Sequence, residues 1–216
     1  PVLWNLFFAD LHFPPHKDDV CLGGVHIPYL AQADDVILLA LSPEGLQAKL
    51  DALLDWCERN GLNINITKSF LMAFGPLPTA CPRLSLRHTP LQLVDSTTYV
   101  GVTLTSTTRN IFSAHRRSQA TKARRIANAT LGLESYIGRI PPEVARALYM
   151  ARLDPHLASA CMVDLDVDAA SLHPLEQAQL TFARRVLQLP SRSSALTPLL
   201  DLGLWPLRYR RCHLAL

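Results

Sequence analysis

Two aspartates, Asp34 and Asp35, stand side by side in "LAQADDVILLA" (residues 30–40), between apolar runs that favour burial. Carboxylates held that close repel and raise each other's pKa, so a fold that sets them beside an apolar sheet gains most when a divalent cation neutralises both. Hard oxygen ligands suit magnesium. The plain alternative is a turn whose two carboxylates are simply solvated. A second pattern has the opposite sign: from 105 to 133 there is no acidic residue, while Arg109, Arg116, Arg117, Lys122, Arg124 and Arg125 are all present. Such a stretch suits the phosphates of a nucleic acid, because releasing their counterions favours binding and makes it salt-sensitive. Its plain alternative is a solvated helix face. The two patterns divide the net charge of +3, since residues 1–58 carry two basic and nine acidic side chains and residues 59–216 carry nineteen basic and nine acidic. The acidic part suggests a cation site and the basic part a polyanion partner.

These residues need elements to hold them. Around the aspartates, "VCLGGVHIPYLAQADDVILLA" reads as a short strand, a Gly23-Gly24 turn, an extended segment 25–32 and a β-rich run 36–41. Period-two alternation puts Leu30, Gln32 and Asp34 on one face, with the aspartates at a strand-to-strand turn. Ser42 then caps a helix with Pro43 at its first position and Glu44 in its first turn. Leu46, Leu50, Leu53, Leu54 and Cys57 recur at helical spacing, and Gly61 supplies the stop. In "GLNINITKSFLMAFG" Leu62, Ile64 and Ile66 alternate with Asn63, Asn65 and Thr67, which predicts a strand ending near Lys68 and another through Phe74. The order helix, strand, strand, helix, strand predicts an α+β fold, an antiparallel sheet with helices on one face.

Beyond a loop over 76–82 and short strands to Leu104, the polar "TSTTRN" leads into a basic amphipathic helix whose apolar stripe is Ala120, Ala123, Ala127 and Leu131. A helix opening at Pro141-Pro142 carries Val144, Leu148, Ala151 and Leu153. Another carries Leu175, Ala178, Phe182 and Val186 inward, with Arg184 and Arg185 at its C-terminal end to complement the dipole. A last helix ends in the basic cluster of "LRYRR". With 49% hydrophobic and 18% charged residues, 216 positions are ample for a sizeable core. No stretch reaches the roughly 20 apolar residues of a membrane span, and no signal-peptide plan opens the chain, so a soluble protein without a membrane partner is expected. Five cysteines without a CxxC pair fit reduced thiols and an intracellular, nuclear or cytoplasmic setting. The scattered histidines read as structural or solvated. An uncapped apolar run, "PVLWNLFFADL", suggests that the chain starts inside a larger domain.

"AQADDVILLA", "NGLNINITKSFLMAFG" and "TTYVGVTL", in this order and spacing, resemble the later motifs of a non-LTR (LINE-type) retrotransposon reverse transcriptase. The resemblance implies a partial palm over 1–104, with trailing helix, Asp-Asp hairpin, Lys68 strand and primer-grip-like hairpin, followed by an all-α thumb and post-thumb extension over 105–216. It implies RNA-directed DNA polymerisation, with an RNA template and a DNA primer as partners. In the family, nucleotidyl transfer uses two magnesium ions, one at the primer hydroxyl and one at the triphosphate. Asp34 and Asp35 match the metal-binding pair, and Lys68 matches the lysine at the pyrophosphate leaving group. Tyr99, Val100 and Gly101 resemble the primer-grip turn. Arg116, Arg117, Lys122, Arg124 and Arg125 fall where the thumb meets the duplex. Gln32 stands where the family carries Tyr or Phe against the primer end, and the family's other essential aspartate lies in an earlier motif that this sequence does not contain. The chain alone is therefore expected to be inactive. The rival reading from another class is a non-catalytic nucleic-acid-binding remnant acting through its basic helices. A small unrelated magnesium enzyme would need a further carboxylate converging on Asp34.

Overall fold

A computed structural model describes residues 2–76, 83–164 and 169–216. The chain divides into two compact units, 1–96 and 97–216, each described by itself.

The first unit opens with helix α1 (Val2–Phe7) and a 3-10 turn (Phe8–Asp10), then two hairpins: β1 (Val20–Leu22) with β2 (Val25–Ile27), and β3 (Tyr29–Gln32) with β4 (Asp35–Leu38). The Gly23-Gly24 turn falls where the sequence puts it. Helix α2 (Pro43–Arg59) starts as its cap residues dictate: the Ser42 hydroxyl accepts from the Gly45 amide at 3.0 Å, with Pro43 in the first turn. It ends in a Schellman motif, in which Leu62 N–H donates to the Cys57 carbonyl (2.8 Å) and Gly61 N–H to that of Glu58 (3.2 Å). Gly61 makes this possible at φ 67°, a conformation that costs other residues a Cβ clash. The buried face of α2 comprises Leu50, Cys57 and also Trp56, which the heptad-like spacing of leucines does not reveal.

Leu62, Ile64 and Ile66 alternate inward as expected, packing beneath α2, while Asn63, Asn65 and Thr67 are exposed. The backbone there is extended but joins no ladder among the described residues, and Ile66–Lys68 closes into a 3-10 turn, so the expected long strand is not formed. The strand that follows is only β5 (Phe70–Leu71). It pairs in parallel with β8 (Gln92–Leu93), and between them lies the hairpin β6 (Ser85–Leu86) with β7 (Thr89–Pro90). The described strands thus form two-stranded pairs, one of them parallel, instead of the continuous antiparallel sheet the sequence predicts. Period two records which side chains are inward, and it carries no information on which backbone groups find a partner. The loop expected over 76–82 lies, apart from Pro76, outside the described residues.

The second unit holds the hairpin of β9 (Ser96–Tyr99) and β10 (Val102–Thr105), helix α3 (Ser113–Gly132), a short α4 (Glu134–Ile137), α5 (Pro142–Leu148), α6 (Asp154–Leu157), α7 (Ala169–Val186), α8 (Thr197–Asp201) and α9 (Leu207–Ala215). The hairpin packs on α3, so the boundary between units falls after Ser96, and the primer-grip-like segment belongs with the helices, not with the palm-like part ending at 104. The stripe of α3 is as expected: Ala120, Ala123, Ala127 and Leu131 are buried against α7, whose Leu175, Ala178, Phe182 and Val186 face inward. The helix from Pro142 meets expectation at Leu148 and Leu153 and departs from it at Val144 and Ala151. Its inward residues are Ala145, Tyr149, Leu153 and Leu157, while Val144 and Ala151 are exposed. A strict four-residue spacing drifts around an α-helix, and the wider π turn at Tyr149–Leu153 between α5 and α6 brings the stripe back into line. Pro155, which has no N–H to give the Ala151 carbonyl, follows that turn and favours opening the helix there.

Buried polar groups tie the second unit together. Gln179 donates to the Tyr149 hydroxyl and the Trp205 carbonyl, each at 2.9 Å, and accepts from Leu207 N–H at 3.0 Å. Burial pushes the Tyr149 hydroxyl far above its usual range, so it stays protonated. Asp164 lies between two buried arginines. Arg116 Nε donates to its Oδ2 at 2.6 Å and Arg116 Nη2 to Oδ1, while Arg211 donates to the carbonyls of Leu157 (2.9 Å), Ser159 (3.0 Å) and Asp164 (3.2 Å). Removing one member of such a buried set leaves an uncompensated charge and costs about 3–5 kcal/mol. Asp164→Ala is expected to lower the stability of the second unit by that order, read from hydrogen exchange of α3 and α7 amides, with the first unit's amides little changed.

His115, beside this cluster, is 1% exposed. Its Nδ1 accepts from Thr103 N–H at 3.3 Å, and Nε2 lies 3.2 Å from the Ser159 hydroxyl, which fixes a neutral ring. Burial first, and then the nearby cations Lys122, Arg211 and Arg116, hold its pKa below 6.5 against the pull of Asp164. Because the unfolded chain takes up the proton first, stability is complete above pH 6.5 and falls as pH drops through the window between that value and the folded pKa. Urea unfolding of the second unit at pH 7.5 and 5.5 is expected to show this loss, and His115→Gln to reduce it.

Candidate metal and nucleic-acid site

The Asp-Asp hairpin is a two-residue connection. Gln32 pairs with Asp35, Ala31 with Val36, Leu30 with Ile37 and Tyr29 with Leu38. Opposed residues share a face, so Tyr29 and Leu38 turn to the core with Trp56 and Leu53 of α2, and Leu30, Gln32, Asp35 and Ile37 occupy the other face. The simple alternation in the sequence pairs Gln32 with Asp34; the structure pairs it with Asp35 instead, because Asp34 belongs to the turn and leaves the strand's alternation. Ala33 holds the turn's first position at φ 53°, where a residue with a Cβ is strained, and strain of this kind concentrates at functional sites. Gln32, Asp34 and Asp35 are all exposed. The arrangement presents two adjacent carboxylates to solvent at a fixed tip.

What anchors the base of that hairpin is a buried ion pair. Lys49 of α2, 3% exposed, sits 2.6 Å from Asp19 Oδ1 and also donates to the Leu39 carbonyl at the end of β4. The His16 N–H, at 3.0 Å, and Lys49 together hold the Asp19 carboxyl below its usual range. Asp18 accepts from the Ser42 hydroxyl at the cap of α2, and Asp10 accepts from Trp56 Nε1 at 3.1 Å. All three early aspartates therefore bind α2 or its cap, and none is free to join Asp34 and Asp35. Among the described residues no group of three or more His, Cys, Asp or Glu side chains could hold a metal ion. Two adjacent carboxylates fit one hard cation completed by water; they do not supply the ligands that a pair of magnesium ions requires.

Lys68 closes the 3-10 turn Ile66–Lys68 and is exposed. Tyr99 and Gly101 lie in the second unit, so the contacts that position them are not those that position Asp34, Asp35 and Lys68. Tyr99 is half-buried at the end of β9, and the turn Val100-Gly101 has φ 47° and 79°, the conformation of a tight type I′ hairpin. Gly101 thus serves the backbone, and Val100, 58% exposed, pays the steric cost beside it.

Of the five cationic residues expected to meet nucleic acid on α3, Arg117, Lys122, Arg124 and Arg125 are exposed. Arg116 is not: at 3% exposure, with its guanidinium on Asp164, it is a core residue and cannot reach a phosphate. The signal was present in the spacing, since 116, 120, 123, 127 and 131 form one inward stripe. Arg211 of the C-terminal basic cluster is buried in the same way, and Arg210 pairs with Asp154 at 2.9 Å, which holds its proton more firmly. Asp164 and Gln179, which organise this unit, carry no local sequence signal; their partners lie tens of residues away.

No protein-family model matches the chain, and no solved structure matches it. A curated protein of Drosophila melanogaster, the RNA-directed DNA polymerase from mobile element jockey, is 28% identical over 110 residues. The match covers 48% of this chain, and only 12% of that protein's length. The chain is thus similar, distantly and over a short span, to the RNA-directed DNA polymerase of a mobile element.

Proposed function

We propose that the chain is a segment of a reverse-transcriptase-like polymerase of retrotransposon type, with a partial palm before Ser96 and a thumb-like helical unit after it. The observation that carries this reading is the exposed Asp34–Asp35 pair where a strained two-residue turn enters β4, in a chain similar to an RNA-directed DNA polymerase. In this reading Asp34 and Asp35 contribute carboxylates to a magnesium site completed by residues outside the chain. Lys68 serves the pyrophosphate leaving group. Gln32 faces the primer end from the same side as Asp35, as a hydrogen-bonding group in place of an aromatic ring. Tyr99 and Gly101 form the primer-side hairpin, and Arg117, Lys122, Arg124 and Arg125 take the phosphates of an RNA template–DNA primer duplex. With two carboxylates in hand, the chain alone does not polymerise.

A second reading, nucleic-acid binding without catalysis, is favoured by the contrast between a well-formed cationic face on α3 and an incomplete acidic site. Both expect duplex binding, and primer extension separates them. In magnesium buffer this chain is expected to give no extension that Asp34→Asn abolishes; any such extension overturns the claim of inactivity and favours the enzyme reading. Duplex affinity is expected to fall steeply with salt, and each of Arg117 and Arg124 changed to Ala to reduce the slope of log K against log salt by about 0.9. Absence of duplex binding overturns the thumb assignment.

A further inference from the structure

Helices α3 and α7 pack together through their buried stripes. Asn110, just before α3, donates to the Ser171 hydroxyl in the first turn of α7 at 3.2 Å, and Asn128 near the end of α3 accepts from Arg185 Nη1 near the end of α7 at 2.6 Å. Like ends meet, so the helices run parallel. Between these ties Arg124 of α3 reaches the Pro174 carbonyl of α7 at 3.5 Å. Arg117, Arg124 and Asn128 are spaced seven and four apart, which places them on one side of α3. That side borders α7, whereas Lys122 and Arg125, three apart, lie on the other exposed side. At 1.5 Å per residue the row from 117 to 128 is about 16 Å long. Helix α3 has no acidic residue, and the single acidic residue of α7, Glu176, is 3.9 Å from Arg208.

The geometry points to the α3–α7 seam as the surface that tracks a nucleic-acid backbone, with Arg185 as a phosphate contact held in place by Asn128. The sequence gives Arg185 no such role, since at the C-terminal end of α7 it reads as a dipole complement. A row of about 16 Å matches roughly five base pairs of duplex at 3.4 Å per step. Arg117, Arg124 and Arg185 then stand along one strand, and Asn128, which accepts from Arg185, stops its long side chain from sampling other rotamers. A charged cluster of this kind also attracts other polyanions; what favours nucleic acid is the linear placement of guanidinium groups along a seam without intervening acid, suited to a stiff, evenly charged ligand.

The inference rests on the duplex-binding part of the proposed function. Its test measures binding of a fluorescent RNA–DNA duplex by the full chain across a salt series. Arg185→Ala and Arg124→Ala are each expected to weaken binding about three- to tenfold and to reduce the salt slope by about 0.9. Arg152→Ala, which removes the same charge from the exposed π-turn segment, is expected to leave both unchanged. Asn128→Ala keeps every charge and is expected to weaken binding less, without changing the slope. If the duplex binds but Arg185→Ala behaves like Arg152→Ala, the seam is not the surface and the proposed function stands; if the duplex does not bind at all, that function fails with it. Equal binding to heparin or to vesicles rich in anionic lipid, with the same loss on Arg185→Ala, overturns the nucleic-acid assignment in favour of a general polyanion surface. Circular dichroism identical to the parent keeps a null result from being a folding defect.

Discussion

A lysine amine buried among apolar side chains is tolerable only where its charge is matched, and Lys49 is matched by Asp19 at 2.6 Å and by the Leu39 carbonyl. The first unit depends on that arrangement. Lys49 belongs to α2, Leu39 closes β4, and Asp19 stands just before β1, so one ammonium group ties the helix to both hairpins. Asp10 on Trp56 and Asp18 on Ser42 add two further ties from the N-terminal segment to the same helix. The hairpin that carries Asp34 and Asp35 is in this way held at its base by a helix whose own start and stop are written in Ser42, Pro43 and Gly61. Early acidic residues that look available as ligands are consumed in holding the hairpin that carries Asp34 and Asp35.

The second unit solves the same problem with the charges reversed. Asp164 is the buried anion, and Arg116 and Arg211 reach it from α3 and α9, elements far apart in sequence. One consequence is functional. Arg116 fixes the rotation of α3, so that Ala120, Ala123, Ala127 and Leu131 face the core and Arg117, Lys122, Arg124 and Arg125 face solvent. The exposed cationic face of α3 is the complement of a buried salt bridge. The neutral His115 beside it couples this geometry to pH, since charging the ring would add a fourth cation to Arg116, Arg211 and Lys122.

Much of this was legible in the sequence wherever the determinant is local. The cap and stop of α2, the Gly23-Gly24 turn, the presence of a strand-to-strand turn at the aspartates, and the stripes of α3 and α7 follow from residue type and period. Long-range pairings were not legible. Leu62, Ile64 and Ile66 alternate correctly, yet their backbone finds no ladder; the inward stripe of α5 and α6 depends on a π turn that a period of 3.6 does not foresee; and Asp164 and Gln179 declare themselves only through partners many residues away. Arg116 lies between these cases, since its charge suggests a surface contact while its place on the apolar stripe argues for burial. Burial wins because Asp164 neutralises it. The hairpin Tyr99–Gly101 resembles the palm-side motif in sequence and belongs to the helical unit in structure, because its second strand β10 packs on α3 and Thr103 N–H donates to His115.

The candidate site therefore consists of a strained turn, two solvent-facing carboxylates and no third ligand among the described residues. We propose that these carboxylates serve a divalent cation, not solubility alone. Manganese, which substitutes for magnesium on oxygen ligands and broadens nearby NMR signals, reports this directly. Titration into the isotopically labelled chain is expected to broaden the amide signals of residues 32–36 first and to spare them in Asp34→Asn. Unbroadened hairpin signals at millimolar manganese, or broadening centred instead on the exposed Asp55 and Glu58 of α2, would contradict the account.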